Sequence, residues 1–131
     1  MEMGDPPAIV DAWLEAVNSQ DINRLVALSD PNTEIVGPRG SGYGHQVLRD
    51  WLSRAGLTLR TTRVFARGHT VVVAQHAVWR SVETGEMQGE ADIASRFVVD
   101  SQRVAQFARY DSLDSALAET GLDQRDEIVQ H

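Results

Sequence analysis

Four long strand-like segments follow one another after Gly56, and this run constrains the fold more than any other feature of the sequence. The segments are 57–67, 69–82, 87–99 and 103–110, with no more than four residues in any break between them. Parallel neighbours need a crossover of about a dozen residues. Consecutive segments can therefore pair only as antiparallel hairpins, and the sequence predicts a long antiparallel sheet.

Three helical segments precede this sheet. Asp5 is a predicted N-cap and Pro6 a predicted first-turn residue of a helix whose apolar side chains recur every three or four positions. Asp21 is the predicted N-cap of a second, shorter helix, and a third spans 45–55 and ends at Gly56.

The remaining segments complete an α+β pattern. A turn is predicted at 30–32, a short strand at 33–37, a glycine-rich loop at 37–44 and a last helix at 112–120. Helices followed by an antiparallel sheet are typical of α+β domains. Because an amphipathic sheet buries one face, we expect it to curl over the helices and to leave a conical cavity.

Composition excludes several classes of function. The 131 residues fit one domain, predicted as 1–131 with a core at about 8–122 and a fraying acidic tail at 123–131. A net charge of −7 argues against a nucleic-acid partner, and no apolar run approaches the ~18 residues of a membrane span. The N-terminus lacks the pattern of a signal peptide, so we expect a cytoplasmic protein. There is no cysteine, and the four histidines lack ligand spacing, so neither a metal nor a cofactor is expected.

Three sequence stretches resemble one known superfamily. They are NSQDINRLVALSDPN after the first helix, GHQVLRDWL in the third helix and QRVAQFARYDSLDSAL at the last strand. Their order and spacing are similar to the nuclear transport factor 2-like superfamily, in its SnoaL-like (polyketide-cyclase-like) and ketosteroid-isomerase-like branch. The resemblance implies a cone-shaped, curved antiparallel sheet wrapped around N-terminal helices, as in cystatin-like folds, with a deep apolar pocket. It also implies a homodimer joined through the sheet.

The catalytic residues of the family's enzymes are missing here. Alignment with ketosteroid isomerases places Trp13, Gly37 and Ile93 where those enzymes carry a tyrosine and two aspartates. Limonene-epoxide-hydrolase-like enzymes need an aspartate at the position of Ala108. The resemblance therefore implies a pocket without implying either reaction.

The same alignment predicts which side chains face the pocket. Phe107, Arg109 and Asp111 on the last strand should point inward, together with Ser95 on the strand before. Pairing across the hairpin at 83–86 predicts an inward set on the preceding strand: Val72, Ala74, His76, Val78 and Arg80. A register error of one residue would reverse this set.

His76 and Arg109 are the two polar residues with the clearest chemical potential. Imidazole titrates near neutral pH, so His76 is a candidate general acid or base, with a buried structural histidine as the alternative. Arg109 is a candidate ligand for an anion, unless Asp111 pairs with it. The predicted site consists of catalytic His76 and ligand-binding Trp13, Arg39, Tyr43, Trp51, Ser95, Phe107, Arg109 and Asp111.

Two classes of function remain open at this stage. One is a small-molecule-binding protein that acts as an acid–base isomerase, cyclase or dehydratase on a hydrophobic substrate. The other is a non-catalytic ligand-binding or dimerisation module of the same fold. A homodimer is predicted from an apolar outward face made of Val71, Val73, Ala77, Trp79, Val104, Ala108 and Tyr110.

Overall fold

The computed structural model describes residues 5–37 and 40–128. Its helices are α1 (Pro6–Asn18), α2 (Ile22–Ala27), α3 (His45–Ala55) and α4 (Leu113–Thr120), followed by a short 3₁₀ helix, Gln124–Asp126. Its strands are β1 (Ser29–Gly37), β2 (Gly40–Tyr43), β3 (Leu57–Arg67), β4 (Thr70–Arg80), β5 (Met87–Asp100), β6 (Arg103–Tyr110) and β7 (Glu127–Ile128). The predicted α+β fold is confirmed.

The helices begin where the sequence predicts. The Asp5 side chain accepts a hydrogen bond from the Ala8 N–H at 3.1 Å, and Asp21 accepts one from the Arg24 N–H at 3.1 Å. These caps satisfy N–H groups that have no partner inside a helix. Helix α3 ends at Gly56, which adopts the left-handed conformation.

All seven strands belong to one sheet, in the order β2-β1-β6-β5-β4-β3-β7. The neighbours from β3 to β6 are antiparallel, as predicted, whereas β1 pairs with β6 in parallel. Three local expectations are wrong. Residues 30–32 belong to β1 rather than to a turn, the glycine-rich loop contains β2, and 124–128 form a 3₁₀ helix and a strand on β3 instead of fraying.

An extra residue in β5 sets the register of the central hairpin. Arg80 pairs with Met87, but the next pair along is Trp79 with Gly89, so Gln88 is a bulge. Beyond this bulge, each β4 residue pairs with the β5 residue one position later than in a regular hairpin. The shift reverses which side chains of β4 face the helices.

The inner face of the sheet carries the main core. It packs on α1 and α3 through fully buried side chains that include Trp13, Leu48 and Phe97. The outer face carries a smaller apolar cluster, in which α4 covers Val72 and Ala94. None of the described helices is both long and apolar enough to cross a membrane.

Candidate ligand-binding site

A cavity of about 200 Å³, here called the chamber, lies on the inner face of the sheet. It is lined by Ile35, Val36, Trp51, Leu57, Leu59, Ile93, Ser95, Phe107 and Arg109. Most of these side chains are apolar, and Arg109 is the only ionisable one among the described residues in this lining. The chamber can therefore hold a compact apolar group close to one positive charge.

The chamber adjoins a larger and more open cleft of about 710 Å³, here called the vestibule. Trp51, Leu57 and Arg109 line both spaces, so the two lie side by side and share these side chains. The rest of the vestibule is lined by Trp79, Arg80, Ser81, Val82, Glu83 and Gln88. Polar groups are thus concentrated at the opening and apolar groups at the inner end, which is typical of a small-molecule site.

Aromatic side chains form the wall behind the chamber. The ring centroid of Phe107 lies 5.5 Å from that of Trp51 and 5.1 Å from that of Trp13. Trp13, predicted to line the pocket, is fully buried one layer behind Phe107, and its indole N–H donates to Ser29 Oγ at 2.9 Å. Trp13 therefore supports the wall, whereas Trp51 and Phe107 line the chamber itself.

Ser95 lines the chamber, as predicted, and is fully buried. Its hydroxyl donates to Oε1 of Gln75 at 2.8 Å, and the Gln75 side chain is 1% exposed. The amide nitrogen of Gln75 has no hydrogen-bond partner within the described structure. The Ser95–Gln75 pair, with one unsatisfied N–H donor, thus lies buried beside the chamber. An unsatisfied buried donor lowers stability and calls for an explanation.

Arg109 lies where the chamber meets the vestibule. This agrees with the predicted alternation of inward and outward side chains along β6. Its guanidinium is 4.0 Å from the Asp111 carboxylate, and the two side chains are 54% and 100% exposed. A contact at this distance in solvent is weak. Asp111 does not line either cavity, so the structure places it outside the site and leaves Arg109 accessible to an anion.

His76 does not face the chamber, and this prediction is wrong because of the Gln88 bulge. The bulge pairs His76 with Asp92 and places Gln75 opposite Ile93, so His76 points to the outer face. There its two ring nitrogens lie 2.8 Å from Asp92 Oδ1 and 2.8 Å from Glu90 Oε1. Hydrogen bonds to Asp92 and then Glu90 raise the pKa of His76 above its ordinary value.

Tyr43 also lies on the outer face, contrary to prediction. Strand β2 pairs Tyr43 with Glu34, whose carboxylate accepts hydrogen bonds from Ser41, Gln106 and Tyr43. The bonds from Ser41 and Gln106 are the main cause that lowers the pKa of Glu34. The predicted ligand residue Arg39 lies outside the described residues.

The sequence argument missed Gln75 and Trp79 as inward-facing residues. It placed Trp79, with Val71, Val73 and Ala77, on an outward dimer face, whereas the register puts all four on the inner face. The bulge at Gln88 decides this, and the sequence signal for it is Gly89, because a glycine inside a strand often marks a bulge. Among the described residues, no group of three histidines or carboxylates is placed to hold a metal ion.

Comparison with known proteins agrees with the fold. A curved, mostly antiparallel sheet packed on helices defines a class of small α+β domains. A model of the SnoaL-like domain matches residues 10–107, and the chain belongs to this family. No curated protein matches the sequence.

Solved structures share the architecture at low sequence identity. A hypothetical protein with a ketosteroid isomerase-like fold from Catenulispora acidiphila, in complex with trimethylamine, is 21% identical, with a TM-score of 0.69 over 91% of this chain and 96% of its own. A putative polyketide cyclase from Sinorhizobium meliloti is 14% identical, with a TM-score of 0.63 over 77% and 92%. TerC, co-crystallised with polyporic acid, is 18% identical, with a TM-score of 0.68 over 85% and 93%. At these identities the likeness shows the fold alone.

Proposed function

We propose that this protein binds a small apolar molecule that carries an anionic group. The observation that supports this proposal is the placement of Arg109 between the apolar chamber and the polar vestibule. The apolar part of the ligand extends from the chamber into the vestibule, and its anion meets the accessible guanidinium between them. The polyporic acid in TerC supports the idea that this fold can hold an organic acid.

Binding without acid–base catalysis is the better supported of the two functions that the sequence left open. The ionisable residues among the described lining of both spaces are Arg80, Arg109 and Glu83. Arginine stays protonated in proteins and cannot act as a general base near neutral pH. Glu83 is exposed, beyond the end of β4, and it lines only the vestibule. His76, the sequence candidate for this role, points away from the site.

The predicted homodimer stays a prediction. Five of the seven residues that suggested an apolar outward face, Val104 among them, belong to the inner face and its core instead. Ala108 and Tyr110 do lie on the outer face, paired with Arg96 and Ala94. The prediction now depends mainly on the family resemblance.

The test compares two ligands that differ only in charge. Isothermal titration calorimetry would measure the affinity for 2-naphthoate and for its neutral analogue 2-naphthamide. We expect the wild-type protein to bind the acid more tightly. Arg109→Met should weaken the acid by about tenfold, as expected when a hydrogen bond to a charged group is lost. The affinity for the amide should change little.

Arg103→Met is the matched control, because Arg103 is exposed at the other end of the same strand. Ile93→Phe should abolish binding of both compounds by filling the chamber, with circular dichroism as the check on folding. Failure of the wild-type protein to bind either compound at millimolar concentration would refute the proposal. Chemical conversion of a bound ligand, followed by NMR, would show instead that the site is catalytic.

A further inference from the structure

We propose that Trp79, lying flat on Gly89, is a specificity-determining wall of the vestibule that selects ligands with a planar, conjugated ring. This inference rests on the proposed function, because it concerns the same bound molecule. It adds a second requirement to the anionic group, namely the shape and electronic character of the ring.

The contact between Trp79 and Gly89 is unusually close. The two residues are directly paired across β4 and β5. A Cβ atom built on Gly89 would lie 2.7 Å from Cε2, 2.7 Å from Nε1 and 2.8 Å from Cζ2 of the Trp79 indole. Three ring atoms at this distance mean that the indole lies over the space a side chain would occupy. Any other residue at position 89 would push the indole away.

The Gln88 bulge explains why the indole lies there. Without the bulge, β4 would be turned over and Trp79 would point to the outer face. With it, Trp79 faces inward, packs partly on the main core and lines the vestibule. One face of the ring rests on β5, so the other is left to border the vestibule.

A second fixed indole borders the same space. Trp51 lines the vestibule and is stacked on Trp13, with 5.8 Å between ring centroids and 25° between ring planes. Within the described residues no ring contact joins Trp51 to Trp79, and both indoles line the vestibule. Aromatic rings favour offset stacking and edge contacts with other aromatic rings. The vestibule therefore favours a flat ring over a saturated one of equal size.

The test compares two acids that share a charge and a carbon skeleton. One is 2-naphthoate, and the other is its saturated counterpart, decahydro-2-naphthoate. We expect wild-type protein to bind the aromatic acid about threefold to tenfold more tightly, which is the range expected for one aromatic contact. Trp79→Leu should bring the two affinities to within twofold of each other by weakening only the aromatic acid.

Gly89→Ala should have the same effect on this ratio, because the added methyl group displaces the indole. The double variant Trp79→Leu/Gly89→Ala is the matched control, and it should behave like Trp79→Leu alone. If Gly89→Ala does not fold, the double variant should fold, since the clash partner is gone. In that case the ratio of the two affinities is measured on Trp79→Leu alone.

The outcomes separate this inference from the proposed function. Equal binding of the two acids by wild-type protein would overturn the inference and leave the proposed function standing. The inference would also be overturned if Trp79→Leu left the affinity ratio of the two acids unchanged. The same holds if the double variant were as destabilised as Gly89→Ala. Failure of the wild-type protein to bind either acid would refute both.

Discussion

On the inner face of β4 and β5, Gln75, Ile93 and Ser95 are buried beside the chamber, whereas one residue further along, His76 and Asp92 meet solvent on the outer face. The described part of the inner face offers aromatic surface, the Ser95–Gln75 pair and the accessible Arg109. The outer face offers a histidine held between two carboxylates. The ionisable group best suited to proton transfer is thus separated from the cavity by the thickness of a single sheet.

This difference shows that the register of one hairpin decides which side chains of β4 border the cavity. The side of the sheet on which His76 lies depends on the bulge at Gln88. The same bulge brings Gln75 and Trp79 to the inner face. Chemistry in the chamber is therefore governed by the register of one hairpin as much as by which residues the chain contains.

Truncation of an inner aromatic residue should have the largest effect on stability. Phe97 is fully buried and lies 5.3 Å from the Trp13 ring and 5.2 Å from the Phe107 ring. Phe97→Ala should lower the free energy of unfolding by about 3–5 kcal/mol, measured by urea denaturation. The outer-face control Tyr110→Ala should cost less, because Tyr110 is only partly buried. Equal losses in the free energy of unfolding would contradict this prediction, because the two faces would then contribute equally to stability.

Loss of the buried polar pair should have an intermediate effect. Ser95→Ala removes the donor to Gln75 Oε1 and leaves the whole buried amide unpaired. We expect a loss of about 1–3 kcal/mol in the free energy of unfolding. Adding Gln75→Leu should recover part of this loss, because both polar partners are then replaced by apolar groups. A double variant less stable than Ser95→Ala would show that the Gln75 amide has another partner.

Replacement of His76 should have the smallest effect, and one that depends on pH. Because its pKa in the folded state is raised above the ordinary value of 6.5, its contribution to stability is fully present below that pH. The contribution is lost as the pH rises through the folded-state pKa. The melting temperatures of wild-type protein and His76→Gln should therefore differ most in mild acid and converge in alkaline solution.

Ligand affinity should be the same in wild-type protein and His76→Gln, because the side chain lies on the opposite face. Asp92→Asn should likewise reduce the pH dependence of the melting temperature, since Asp92 makes the larger contribution to the raised pKa of His76. A difference in melting temperature that grows with pH would contradict the assignment of His76 as a protonated link between two carboxylates.

The long helices and strands could be predicted from the sequence, and so could part of the chamber lining. The bounds of α3, β3 and β6 follow from periodicity and from the glycine at 56, because local patterns determine them. The inward parity of Ser95, Phe107 and Arg109 was also predictable from the alignment of the last two long strands. The side chains of β4 were not, because a bulge depends on backbone packing.

Tyr43 shows the same limit in a different setting. Its glycine-rich surroundings indicate a loop, yet residues 40–43 pair with β1 and turn Tyr43 to the outer face. A short strand with three glycines in its neighbourhood has almost no strand propensity of its own. Only its partner strand makes it a strand.

The parallel pairing of β1 with β6 has a consequence for the order of folding. The last long strand to be synthesised lies between β1 and β5, where it joins the β1–β2 hairpin to the β3–β4–β5 meander. The contact of Ile35 with its β6 partner Phe107 spans most of the chain, and such distant contacts close slowly. Until β6 leaves the ribosome, β1 and β5 each have one strand edge without its partner. The chamber, whose lining includes Phe107 and Arg109 from β6, is therefore complete only once β6 has joined the two parts of the sheet.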